Sequence, residues 1–134
     1  MQRRRTVLVV DGRETERRPL RDLLALEGNE VLEAANGPEA FEVAVRHRGP
    51  IDLVVADLEA ALSDPRRFAR LFGWYGRRSR VLFLSAEGED ALLARGIRRD
   101  AANLLPLPFD PAALSAKVRA LLDGAPAPSE GPFV

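Results

Sequence analysis

Residues 6–12 read TVLVVDG: a polar start, an unbroken Val/Leu run, then an acid and a glycine. An apolar run without polar alternation is the pattern of a strand covered on both faces, as in a parallel sheet. Such a strand delivers Asp11 to its carboxyl end with Gly12 directly after it. Strand-length stretches recur downstream as EVLEA (30–34), DLVVA (52–56), RVLFL (80–84) and NLLPL (103–107). Helical patterns alternate with them. Leu20, Leu23, Leu24 and Glu27 follow one stripe that Gly28 and Asn29 end. Pro38 opens a second helix with Ala40, Phe41, Ala44 and Val45 on its apolar face, and Pro65 a third with Phe68, Leu71 and Phe72, frayed by Gly73 and Gly76. A fourth carries Ala91, Leu92 and Leu93. Pro111 opens a fifth with Leu114, Val118, Leu121 and Leu122, closed by Gly124. Pro19 falls inside the first helix and is expected to delay or kink its start. Five strand–helix alternations in one stretch predict an α/β domain, a doubly wound parallel sheet with helices on both faces, over residues 1–124. The Pro- and Gly-rich segment 125–134 is expected to be a flexible tail.

Composition narrows the function classes. The 134 residues carry a formal net charge of zero, so no global field recruits nucleic acid or an anionic membrane. The absence of cysteine excludes disulfides and thiolate metal sites. The basic start MQRRR precedes too short an apolar run for a secretory signal, and no segment is apolar enough to span a bilayer. A cytoplasmic location is the expectation. Neither GxGxxG nor GxxxxGK[ST] occurs, which argues against a nucleotide site.

Sites in open parallel sheets form at the carboxyl ends of the strands. Those ends carry Asp11-Gly12, Asp57-Leu58-Glu59, Ser85-Ala86 and Leu107-Pro108-Phe109. Two carboxylates and a hydroxyl on one edge suit Mg²⁺, which takes one or two carboxylates plus water and phosphate oxygens. An aspartate there also suits nucleophilic attack on phosphorus.

In these motifs and their order the chain resembles the receiver domains of two-component response regulators, from Thr6 to about Gly124. VLVVDG matches the family's VLVVDD, DLVVAD the phospho-acceptor strand, FLSA the strand-four hydroxyl motif, and LPLPFDPAALSAKVRALL the KPF motif and last helix. The resemblance implies the flavodoxin-like (βα)5 fold with strand order 2-1-3-4-5. It implies Asp57 as phospho-acceptor, Asp11 as one acid of the metal pair, Glu59 in the acidic pocket and Ser85 as switch hydroxyl. Three positions depart from the family. Gly12 stands where the second acid should be, Leu107 replaces the lysine that pairs with the phosphoryl group, and Leu104 occupies the aromatic switch position. The loop after Asp57, LEAALSDPRR, also lacks the usual Met-Pro. Losing one well-placed electrostatic group typically costs about 10²–10³ in rate. Asp11 and Asp57, with the Glu59 carbonyl, are therefore expected to hold Mg²⁺ weakly, and the preferred function needs none.

That function is a degenerate receiver without enzymatic activity of its own. It would signal by binding a protein, a histidine kinase or a downstream effector, as a monomer or weak dimer. The expected docking face lies on the fourth helix, fifth strand and fifth helix (residues 91–98, 103–105 and 112–122). The alternative is a slow phospho-acceptor, taking phosphate from a histidine kinase on Asp57. A phosphohydrolase in which Asp57-Leu58-Glu59 stands in for Asp-x-Asp ranks last.

Smaller expectations concern single residues. The Arg13 guanidinium is a candidate to pair with Asp57 or Asp11, with a solvated Arg13 preferred, and Glu14 is a weaker candidate to replace the lost acid. Ser85 is also a candidate cap for a helix near Glu87, and Leu107-Pro108 a candidate cis peptide. His47 and the arginine clusters are expected to be solvated. Lys117, the only lysine, lies too far along the last helix for the strand ends. Trp74 and Tyr75 would cover the core edge or anchor a partner.

Overall fold

The structure, a computed structural model, describes residues 4–60, 67, 68, 70, 72, 79–97 and 103–124. Five parallel strands, β1 (Thr6–Val10), β2 (Glu30–Ala34), β3 (Leu53–Asp57), β4 (Arg80–Ser85) and β5 (Leu104–Pro106), form one sheet in the order β2-β1-β3-β4-β5. Around it lie α1 (Glu14–Leu26), α2 (Gly37–Arg46), α3 (Glu89–Ala94) and α4 (Pro111–Leu122). Arg67, Phe68, Arg70 and Phe72 are also helical, on the segment where the third helix is expected. Pro65, Leu71, Trp74, Tyr75, the arginines at 3, 66, 77, 78, 98 and 99, and the segment 125–134 lie outside the described residues.

Side chains alternate across each strand, so the apolar runs feed two cores. Leu8 and Val10 of β1 face one side with Ala40, Ala44, Phe68, Phe83 and Leu92. Val7 and Val9 face the other with Leu20, Leu24, Leu114, Val118 and Leu121. All five β1 residues are buried, which is why its sequence lacks polar alternation. Asp52 stands just before β3, where its Oδ2 accepts the backbone N–H of Thr6 at 2.8 Å.

The helix ends follow local chemistry. Gly28, at φ 94°, gives its N–H to the Ala25 carbonyl, and Asn29 gives its own to Leu24, the double bond that closes α1 at a left-handed glycine. At the start of α2 the Asn36 side chain accepts the Glu39 N–H at 2.9 Å. Asn36→Ala is expected to lower stability by about 1 kcal/mol, measured by urea unfolding.

Several expectations are corrected. Pro19 does not delay α1, which begins five residues earlier at Glu14. The proline removes the one N–H that would bond the exposed Thr15, whose carbonyl water can serve. Meanwhile the Arg13 carbonyl accepts from Glu16 and Arg17, and acids at 14 and 16 complement the positive helix end. Val45 is 78% exposed, because α2 rests on the sheet through Gly37, Ala40 and Ala44. Arg5 and Arg80 are not free surface charges. They donate to the terminal carbonyls of Leu122 and Leu121, at the negative end of α4. His47 is partly buried at the end of α2, its N–H on the Val43 carbonyl. Lys117 stays away from the strand ends, as expected, and gives its Nζ to the Leu104 carbonyl of edge strand β5 at 2.9 Å.

Candidate functional site

Sheet register brings the expected residues to one edge. Val10 pairs with Ala56, so Asp11 and Asp57 leave adjacent strands side by side. Asp57 pairs with Leu84, and Ser85 with Pro106. Bonding continues past the strands, from Leu58 N–H to the Leu84 carbonyl at 2.8 Å and from Leu107 N–H to the Ser85 carbonyl at 2.7 Å. The Leu107-Pro108 peptide is cis. Asp11, Asp57, Glu59, Ser85 and Leu107 thereby line one cavity of about 520 Å³, with Pro19 and Leu20 from α1 and with Pro108 and Phe109.

Asp11 is only 3% exposed. Its Oδ1 accepts the Arg13 N–H at 2.9 Å. Burial raises its carboxyl above the ordinary value; that N–H opposes the shift, Glu16 adds to it, and Arg13 and Arg17 oppose it. Asp57 is partly buried and pushed up to about 6, first by burial, then by the charges of Asp11 and Glu59. A bond from the Ala60 N–H opposes the shift and Glu16 adds to it. Two neighbouring carboxylates resist joint ionisation.

The candidate substitutes are paired with other side chains, although Arg13 itself lines the cavity. The Arg13 side chain is 72% exposed and pairs with Glu16 at 3.0 Å, as the solvated alternative has it, rather than with either aspartate. Glu14 pairs with Arg18 at 2.8 Å, away from the lost acid's place. Ser85 does not cap a helix: its Oγ accepts the Glu87 N–H at 3.1 Å, while α3 starts at Glu89 behind Gly88. Leu104 is fully buried, so the position usually given to an aromatic switch is core packing. Leu107 is partly buried against the Leu114 and Val118 cluster. Gly12 has no positive φ, and a Cβ there would meet only the Ala35 carbonyl at 3.4 Å, an ordinary contact. No backbone constraint demands glycine at this position.

Two residues were missed from sequence. Glu16 lines the cavity, and Arg17 gives Nη1 to the Asp11 carbonyl at 2.7 Å while its Nε meets Glu33 at 3.1 Å. Both sit on the first turn of α1, which begins ahead of Pro19; a helix started at the proline would leave them outside it.

Among the described residues no group of three or more His, Cys, Asp or Glu could hold a metal ion. Asp11 and Asp57 remain as two carboxylates, the minimum that Mg²⁺ uses when water and phosphate fill its other positions.

The family model of the response regulator receiver domain matches residues 7–119. The chain belongs to this family. Receiver domains act in two-component signalling, where they interact with histidine kinases or effectors. The receiver is 29% identical over 116 residues to the transcriptional regulatory protein SrrA of Staphylococcus aureus, covering 87% of this chain and 47% of that protein. It thus spans about half the length of the curated relatives it matches. Among solved structures, the chemotaxis response regulator CheY4 of Vibrio cholerae superposes with TM-score 0.73 at 24% identity, over 89% of this chain and 99% of that one. A response regulator from Thermotoga maritima gives 0.72 at 25% identity, over 91% and 100%. These likenesses agree with the observed receiver topology. Among the described residues of the receiver, no helix is long and apolar enough to cross a membrane.

Proposed function

We propose that this chain is a degenerate receiver, which signals by binding a protein partner with little or no phosphorylation of Asp57. The observation that carries the proposal is the wall of the cavity beside the acids. Leu107 stands there against the core, Gly12 offers no carboxylate, and among the described residues no arginine or lysine side chain forms an ion pair with Asp11 or Asp57. Phosphoryl transfer depends on positioned positive charge, and here the metal pair is reduced and the lysine is gone. Mg²⁺ binding through Asp11 and Asp57 is correspondingly weak. The domain performs no catalysis on another molecule. Its partner, a kinase or an effector, docks on the face formed by α3, β5 and α4, where Leu93 is 50% exposed, and the receiver is a monomer or weak dimer.

A slow phospho-acceptor is the second reading. It is favoured by one observation: Asp57 lines the open cavity beside Asp11, with Ser85 at the neighbouring strand end. Intact-mass spectrometry after incubation with Mg²⁺ and acetyl phosphate separates the two, with Asp57→Asn as control. The expected result is no phosphoryl adduct under conditions that label an ordinary receiver. An adduct on the parent that is absent from Asp57→Asn would establish the slow acceptor instead.

A further inference from the structure

The cavity at the strand ends has two unlike kinds of lining. Asp11, Asp57, Glu16, Glu59, Glu87 and Arg13 supply charged groups; Leu20, Leu107, Pro108 and Phe109 supply an apolar wall. Its volume of about 520 Å³ lies within the range of small-molecule sites, which combine apolar linings with a few polar groups. A cavity of roughly 150 Å³ already accepts benzene, so an aryl ring with a short charged arm fits here. The apolar wall exists because Leu107 lies on the core where an ammonium would otherwise project.

The charge of the occupant follows from the pairing of the surrounding groups. The Arg13 guanidinium goes to Glu16, Arg95 holds Glu87, and Arg17 spends its donors on Glu33 and the Asp11 carbonyl. Among the described residues the Asp11 and Asp57 carboxylates accept only backbone N–H groups, from Arg13 and Ala60. Anionic or neutral ligands would leave those carboxylates uncompensated, and a bare metal ion would leave the apolar wall wet.

We propose that this cavity binds a small organic monocation carried on an apolar body, its ammonium between Asp11 and Asp57 and its body against Leu107 and Phe109. The inference rests on the degenerate reading, since a lysine at 107 would fill the same space. The two are tested separately: the mass adduct reports on Asp57 chemistry without amine, and amine binding is read without phosphodonor.

The test is titration of the ¹⁵N-labelled chain with phenethylamine, followed by amide NMR. Saturable shifts at residues 11, 57 and 107 are expected, with Kd near about 1 mM or tighter, as suits a fragment of this size. Phenethyl alcohol, which keeps the body and drops the charge, should bind at least about tenfold more weakly, and so should ethylammonium, which does the reverse. Leu107→Lys should weaken phenethylamine at least about tenfold by like charge, its own spectrum reporting that it is folded. Asp57→Asn should weaken it as well, through a different wall. The proposal is overturned if the alcohol matches the amine, if neither variant changes the affinity, or if no saturable shift occurs at these residues.

Discussion

Asp57→Asn is expected to make the folded chain more stable at pH 7.5, and to make no difference near pH 4. The carboxyl sits at about 6 in the folded chain against an ordinary value of 3.8, first because it is buried, then because Asp11 and Glu59 stand near it. Between those two values the unfolded chain has released the proton and the folded chain still holds it. Stability therefore falls as pH rises through this window, and the loss is complete above it. A shift of this size corresponds to about 3 kcal/mol at full effect, and solvent screening at a partly exposed group reduces the expected gain to about 1–2 kcal/mol. Asparagine retains an acceptor for the Ala60 N–H and carries no charge, so it removes the penalty without removing the bond. The gain corresponds to roughly 3–5 °C in Tm per kcal/mol for a domain of this size. Thermal unfolding of parent and variant from pH 4 to pH 8 checks it: the curves should coincide at the acid end and separate between pH 4 and 6. Parallel curves throughout would mean that Asp57 is neutralised in the folded chain by a cation. Asp11, also raised by burial, acts in the same direction and remains in both proteins.

The second large effect is a gain of chemistry. Gly12→Asp together with Leu107→Lys should convert the chain into one that Mg²⁺ and acetyl phosphate label on Asp57. The backbone permits both changes. A Cβ at 12 meets only the Ala35 carbonyl at 3.4 Å, and a lysine stem can cover the apolar surface that Leu107 covers now, leaving its ammonium to reach for the acids. Each restored group is worth about 10²–10³ in rate where it acts on developing charge; the pair should raise labelling at least about 10³-fold over the parent, with each single variant between. Labelling should require Mg²⁺ and vanish when Asp57→Asn is added. A double variant that labels no faster than the parent would place the block elsewhere, in the altered segment after Asp57. The restored lysine is also the change expected to close the cavity to an amine, so phosphorylation and amine binding should be exclusive properties of the two proteins.

The legible part of this protein lay in local patterns. The limits of β1 and β2, the glycine close of α1 and the proline openings of α2 and α4 are written in the chain within a few residues. Both core faces follow from the unbroken Val and Leu runs. Strand order, and with it the meeting of Asp11, Asp57, Ser85 and Leu107, was readable only through the family motifs, because no local signal says which strand lies beside which.

The destination of long side chains was not legible. Arg13 and Glu14, both within three residues of Asp11, turn to helical partners at Glu16 and Arg18. Arg17, six residues away, reaches the Asp11 carbonyl. An arginine can contact anything within its span, and the choice is made by the helix phase, which Pro19 disguised. Arg5 and Arg80 are far apart in the chain and from the last turn of α4, yet both donate to it.

By itself, then, the sequence determined the elements, the faces they bury, and which acids and which gaps stand at the strand ends, since periodicity and end-capping are local chemistry. The tertiary structure alone decided that Leu107 turns the acid pocket into a half-apolar cavity, that Glu16 lines it, and that the two aspartates lack a cation among the described residues. Those are properties of distance and burial, which arise only when separate segments are packed side by side.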